Sequence, residues 1–259
     1  MSAAIDITLG EVVAALALVA IAAAVSLWRR AALEGDLGIA VVRSFLQLSA
    51  VGYVIQAIFD SDSLWLVVLL LAAMVTFGAA TARSRAKAVP GALGPIVLAL
   101  SVAAGVTLGL VLGLGVFEAE PRYLVPVGGM VIGNSMTAAA VALNRLADEV
   151  SGQARTLEAT LALGATARQA AAGLVTRSLR SGLIPLVDST KTTGVVFFPG
   201  TMVGMLIAGA EPLDAVRLQL ILLWVLLGAV SLAALIATSF GYRGFFTDAH
   251  QLREPPPPD

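Results

Sequence analysis

Residues 183–204 read LIPLVDSTKTTGVVFFPGTMVG, and how this stretch is divided decides the fold. It runs apolar, sets Asp188 and Lys191 three residues apart, and turns apolar again through Pro199 and Gly200. Outward from it the chain is just as greasy: 58% of its residues are hydrophobic and 13% charged, with a mean hydropathy of +0.92. That composition belongs to an integral membrane protein. A net charge of −1 with no run of Lys or Arg points away from nucleic acid. The absence of cysteine excludes disulfides, Cys-based zinc sites and iron–sulfur ligation, and the single histidine, His250, lies near the C-terminus.

A bilayer core about 30 Å thick takes about 20 apolar residues as helix. By that measure the chain divides into about seven spans, approximately Leu9–Trp28, Leu37–Phe59, Leu64–Ala82, Ala92–Phe117, Tyr123–Leu143, Thr193–Ala210 and Leu218–Phe240. The stretch quoted above then forms the start of span six. The first span carries its positive charges after the apolar run instead of before it, so it reads as a retained helix and not a secretory signal. The expected organisation is a transmembrane domain over residues 1–243, with a cytoplasmic segment at about 144–192, and a flexible cytoplasmic tail over 244–259 ending in REPPPPD.

Basic residues near span ends stay cytoplasmic. With the N-terminus outside, only Arg122 and Arg217 of the 16 Lys and Arg fall on the outer side, which predicts a cytoplasmic C-terminus. Glycines recur every four residues at Gly105, Gly109 and Gly113, at Gly129 and Gly133, and, with Ala208, at Gly200 and Gly204. Such stripes let helix backbones approach closely, either inside one bundle or across a dimer seam.

In the long connection, EATLALGATARQAAAGLVTRSLRSGLIP (158–185), Gly164 interrupts one helical run and Thr166 opens another, with Gln169 at capping-box spacing. A solvated hairpin is the plain reading. The small apolar side chains crowding the bend, Leu161, Leu163, Ala165 and Ala167, also suit a knob that docks in a partner's groove.

These residues carry a resemblance. Glu158, Ala159 and the following Gly164 resemble the coupling loop by which permeases of ABC transporters engage their ATPase subunits. Two longer segments, GMVIGNSMTAAAVALNRL (129–146) and IPLVDSTKTTGVVFFPGTMVGMLIAGAEPLDAVRLQ (184–219), look like the signature segments of the FetB-like permeases. That family includes bacterial iron-export permeases and plant relatives associated with aluminium tolerance. The resemblance implies a permease subunit in the cytoplasmic membrane that pairs with a second copy of itself and with a separate ATP-binding subunit, and that exports iron. ATP and Mg would reside on that partner, because the chain has no G-x-x-x-x-G-K-[ST] to cradle phosphates. It also implies ATPase coupling through Glu158, Ala159, Gly164 and Thr166.

Polar residues inside the spans are the candidate pathway. Asp188 and Lys191 share a helix face and can neutralise each other at the cytoplasmic entry of span six, as a static pair or as a gate. Pro185 and Pro199, with Gly200, predict a kinked helix there. Asn134, Ser135 and Thr137 stand mid-way along span five, for interhelical bonding or to line the path. Met130, Met136, Met202 and Met205 read as core filling more readily than as soft-metal ligands, and no residue set is assigned to a metal.

The reading is an all-α polytopic membrane protein with a helix-turn-helix coupling loop and no enzymatic site of its own. An ion- or proton-coupled secondary transporter is the rival, as is an ABC permease for another metal or a nucleotide sugar. The spans lack a second acid for a relay, which counts against the first, and lack a nucleophile–His pair or an Asp–Asp dyad, which counts against an intramembrane hydrolase.

Overall fold

A computed structural model describes residues 9–61 and 63–253. In chain order the elements are α1 (Leu9–Arg29), α2 (Glu34–Ser61), α3 (Leu64–Arg85), α4 (Leu93–Gly113), α5 (Pro121–Gly152), α6 (Ala154–Ala162), α7 (Ala167–Thr192), α8 (Gly200–Ile207) and α9 (Pro212–Gly241), followed by a one-turn 3-10 helix at Tyr242–Phe245. Among the described residues, six helices are long and apolar enough to cross a membrane: α1 to α5 and α9. The protein is an all-α, polytopic membrane protein.

The chain forms two compact units. In the first, α1 and α2 make a helical hairpin. Its turn uses positive φ at Arg30 and Ala32. The Ser26 hydroxyl closes it, donating to Glu34 Oε2 at 2.9 Å and accepting the Leu33 N–H at 3.0 Å. Glu34 and Asp36 in the first turn of α2 suit the positive end of the helix dipole.

In the second unit, α3, α4, α5, α7 and α9 pack around an alanine-rich core that includes Ala82, Ala99, Ala139, Ala171, Ala233 and Ala237. Lipid tails are as apolar as the helices, so packing in a membrane depends on close contact between small side chains. Helical glycines allow three of the close approaches: Gly128 against Leu71, Gly241 against Leu143, and Gly182, where an added Cβ would lie 2.7 Å from Ala142 Cβ and 2.9 Å from the Ala138 carbonyl oxygen. Of the predicted stripe glycines only Gly129 takes this part, an added Cβ there lying 3.0 Å from Met74 Cε. Added Cβ atoms at Gly105, Gly109, Gly113, Gly133, Gly200 and Gly204 would meet no neighbour within 4 Å in this bundle.

The stretch quoted at the outset divides differently from its sequence reading. α7 starts at Ala167 and continues through Pro185 to Thr192, packed along α5 and α9, so residues 167–192 are a helix of the bundle where the sequence reading has a connection between spans. Arg168, Arg177 and Arg180 lower the hydropathy of its first half and hide it from a count of apolar windows. The predicted span Thr193–Ala210 is a non-helical break over residues 193–199 and then the eight-residue α8. Pro199 therefore kinks no helix; it stands just before α8, where a missing N–H is harmless.

The predicted tail is folded as far as residue 253. Phe245 and Phe246 are buried, Phe246 bridges to Leu252, and the Arg253 N–H and Nε donate to the carbonyls of Phe245 and Phe246 at 2.8 and 3.0 Å. The proline run expected to be disordered lies outside the described residues.

Candidate functional site

Two places in the second unit carry the polar residues singled out above. One is the break between α7 and α8; the other is the α6–α7 hairpin.

The break lies deep in the bundle. Helices rise about 1.5 Å per residue, which puts Val230 about 27 Å from the Pro212 end of α9 and about 17 Å from the Gly241 end. Leu186 and Ser189 of α7 line the same groove as Val230, so the last turns of α7 stand at mid-height. Asp188 and Lys191, read from the sequence as marking a cytoplasmic entry, are about 32 and about 36 Å along α7 from Ala167. Their displacement follows directly from the early start of α7.

A hydroxyl-rich run, Ser189-Thr190-Lys191-Thr192-Thr193, closes α7. Thr190 donates to the Leu186 carbonyl at 2.7 Å, Thr192 to those of Asp188 and Ser189 at 3.1 Å, and Thr193 to that of Ser189 at 2.8 Å. These bonds satisfy the hydroxyls without water and favour bending of the helix. Gly194 then takes φ +83°, a conformation other residues rarely adopt, and its N–H donates to the Phe197 carbonyl at 2.9 Å. Non-helical backbone at membrane depth persists only where protein buries it or where it lines a watery cavity. Yet in one chain Val195 is 88% and Val196 76% exposed.

Lys191 Nζ and Asp188 Oδ1 are 3.4 Å apart, and both side chains are more than 60% exposed. Beside them α5, α7 and α9 enclose a groove of about 220 Å³, lined by Asn134, Thr137, Gly182, Pro185, Ser189 and Val230 among others. Asn134 donates to the Met130 carbonyl at 2.8 Å, which leaves its own amide oxygen free to accept; Thr137 donates to Gly133 at 3.2 Å. The groove thus offers neutral oxygens, while Asp188 and Lys191 flank Ser189 in sequence without lining the groove itself.

Not every predicted residue gathers there. Ser135 is fully buried on another face of α5, and its hydroxyl has no hydrogen-bond partner. Pro199 closes the break and Gly200 opens α8. Met130 and Met136 pack against buried core residues. Among the described residues, no three His, Cys, Asp or Glu side chains converge as a metal site would require.

The hairpin is built as a presented knob. Leu157 is buried and Leu161 packs on the core, while Glu158 and Ala159 are exposed and Leu163, at the tip, is 90% exposed. Gly164 makes the turn at φ +91°. Thr166 and Gln169 complete the capping box reciprocally, at 3.3 and 2.9 Å. Beneath the hairpin, Glu149 of α5 is nearly buried and is clasped by Arg145 at 2.6 Å, Arg177 of α7 at 2.8 Å and the Gln153 amide at 2.7 Å. Sequence reasoning missed Glu149. Arg145 and Glu149 have the i,i+4 spacing of a helix pair, but the reach of Arg177 is a tertiary contact that spacing does not reveal.

Residues 9–246 match the model of UPF0014, described as an uncharacterised protein family. The rice "UPF0014 membrane protein STAR2" is 43% identical over 93% of this chain and 85% of its own length. The Arabidopsis thaliana "Protein ALUMINUM SENSITIVE 3" is 40% identical over 93% and 88%, respectively. The Escherichia coli "Probable iron export permease protein FetB" is 38% identical over 95% of both chains. No solved structure matches significantly.

Proposed function

We propose, on the premise that the chain belongs to the UPF0014 family, that it is the permease subunit of an ABC transporter and moves iron out of the cell. The Escherichia coli relative is named a probable iron export permease and the rice relative a membrane protein. The observation that carries the reading is the interrupted helix: α7 stops at mid-height, with Asp188 and Lys191 in its last two turns and Asn134 and Thr137 across the groove. In transporters, discontinuous helices at mid-membrane are where backbone and polar side chains meet the cargo. Iron comes from the name of the bacterial relative; carboxylate, amide and hydroxyl oxygens are ligands that a passing hard cation accepts and releases. A second copy of the chain would cover the exposed break, meeting the requirement that such backbone be buried or line a pore.

The α6–α7 knob is the docking element for the ATPase, which holds ATP and Mg. The test is reconstitution with the ATP-binding subunit, reading Fe(II)-stimulated ATP hydrolysis and Fe(II) efflux from vesicles. Replacing Gly164 with Val forces a β-branched residue into a left-handed turn, and replacing Glu158 with Lys inverts an exposed charge. Both variants should insert and fold normally but lose capture of the ATPase and at least tenfold of the transport rate. Efflux at full rate without any ATPase would mean a secondary transporter instead.

Orientation is tested separately. The chain has no cysteine, so single cysteines report cleanly. One at Ser61 or Ala119 should react with an impermeant thiol reagent added to intact cells, while one at Ser84 or Ser151 should react only after lysis. The opposite pattern would put the knob on the wrong side for an ATPase.

A further inference from the structure

A second polar cavity lies at the opposite end of α7 from the break. It is a groove of about 440 Å³ between the start of α7 and the end of α9, lined by Arg168, Ala172, Val175, Phe240, Tyr242 and Arg243 among others. Nothing in the proposed transport cycle uses it.

Its two guanidinium groups have no carboxylate partner among the described residues. Arg243 stands over the Phe240 ring, 5.0 Å from its centroid. The turn that carries it is anchored: Tyr242 packs edge-on against Phe246, Gly244 sits against the Pro90 carbonyl, and Phe245 is buried. Arg168 projects from the first turn of α7, behind the Thr166 capping box. The positive charge is thus held on fixed backbone on both sides. Between the arginines the walls are apolar, formed by Ala172, Val175 and the aromatic rings.

We infer that this groove binds the phosphate of an anionic membrane lipid, with Arg168 and Arg243 on the headgroup and an acyl chain along Ala172 and Val175. Guanidinium forks match phosphate oxygens in pairs, and basic pockets between helices at the membrane surface are built for such headgroups. The inference rests on the protein lying in a membrane, not on its cargo.

The test uses the purified chain in detergent, read by native mass spectrometry with added phosphatidylglycerol, phosphatidylcholine or inorganic phosphate. Phosphatidylglycerol should be retained roughly thirtyfold more than phosphatidylcholine, the factor expected from two basic residues near a membrane surface. The double variant Arg168→Gln with Arg243→Gln should abolish that preference while its melting temperature without lipid stays unchanged. A variant that misfolds is replaced by either single change, each expected to lose about half of the preference on a logarithmic scale. Equal retention of the two lipids, a preference that survives the substitutions, or saturation by inorganic phosphate alone would overturn the lipid assignment. Loss of ATPase capture with no change in lipid retention would reassign the arginines to the subunit interface.

Discussion

Changing Asp188 to Asn together with Lys191 to Met should leave a chain that folds, reaches the membrane and captures the proposed ATPase, yet transports nothing measurable. Each single change strands a charge at mid-height of the bundle, where insertion scales assign about 2.5–3.5 kcal/mol to an unpaired charge. Both single variants should therefore fail for reasons that do not distinguish structure from mechanism. The double variant is nearly isosteric and leaves no lone charge. The native pair is 3.4 Å apart and largely exposed in the single chain, a geometry worth little as static glue. If the pair only set the depth of α7, the double variant would recover efflux fully. That result would remove both residues from the site.

The second large effect is expected at Gly182. Exchanging Gly for Ala within a helix ordinarily adds about 1 kcal/mol of stability. Here the new methyl would meet Ala142 Cβ at 2.7 Å and a backbone oxygen at 2.9 Å, neither of which can rotate away. Only a shift of α7 off α5 relieves it, at a cost of about 1–3 kcal/mol. Gly182→Ala should accordingly lower the melting temperature in detergent, by roughly 2–4 °C for each kcal/mol lost, and Gly182→Leu should prevent folding. Gly109→Ala, with open space around it in the bundle, is the control and should melt no lower than the parent. Equal melting temperatures for the 182 and 109 alanine variants would mean that α7 does not press on α5 as described.

Much of this architecture is legible in the residues, because apolar length is a sufficient signal wherever a helix faces lipid along its whole course. α3, α4 and α9 follow their predicted spans closely. The hairpin is equally readable: Gly164, Thr166 and Gln169 are local chemistry, and local chemistry fixes a turn and a cap. α7 is the failure. Half of it is rich in arginine and packed against protein, so its membership of the bundle is determined by Gly182, Ala171 and Leu174 meeting α5 and α9, and no window average reports that.

The same limit applies to the candidate site. Asn134 and Thr137 were visible as misplaced polar residues, and helical spacing put them on one face. Ser135 looked equivalent in sequence, yet it turns into the core, because neighbours one residue apart diverge by about 100° around a helix. The closeness of Ser189 to Asn134 depends on how α7 lies along α5. Glu149 escaped notice for a related reason: its partner is 28 residues away.

α7 joins the two places described here as a single rigid member, and that makes it a lever. Its outer arm ends at the Thr166 cap, Glu149 and Arg177 form a fulcrum about 15 Å up the shaft from Ala167, and Asp188 rides about 16 Å beyond. For a rocking motion about that pivot, displacement at the knob reappears at Asp188 at about equal amplitude and in the opposite direction. The arms are nearly balanced, so the stroke is transmitted without amplification. An ångström-scale push at the Thr166 end would then shift Asp188 and Lys191 together relative to Asn134 and Thr137 on α5, provided the shaft holds straight through Pro185. That proline is the one point on the inner arm where the backbone lacks a hydrogen bond to resist flexing.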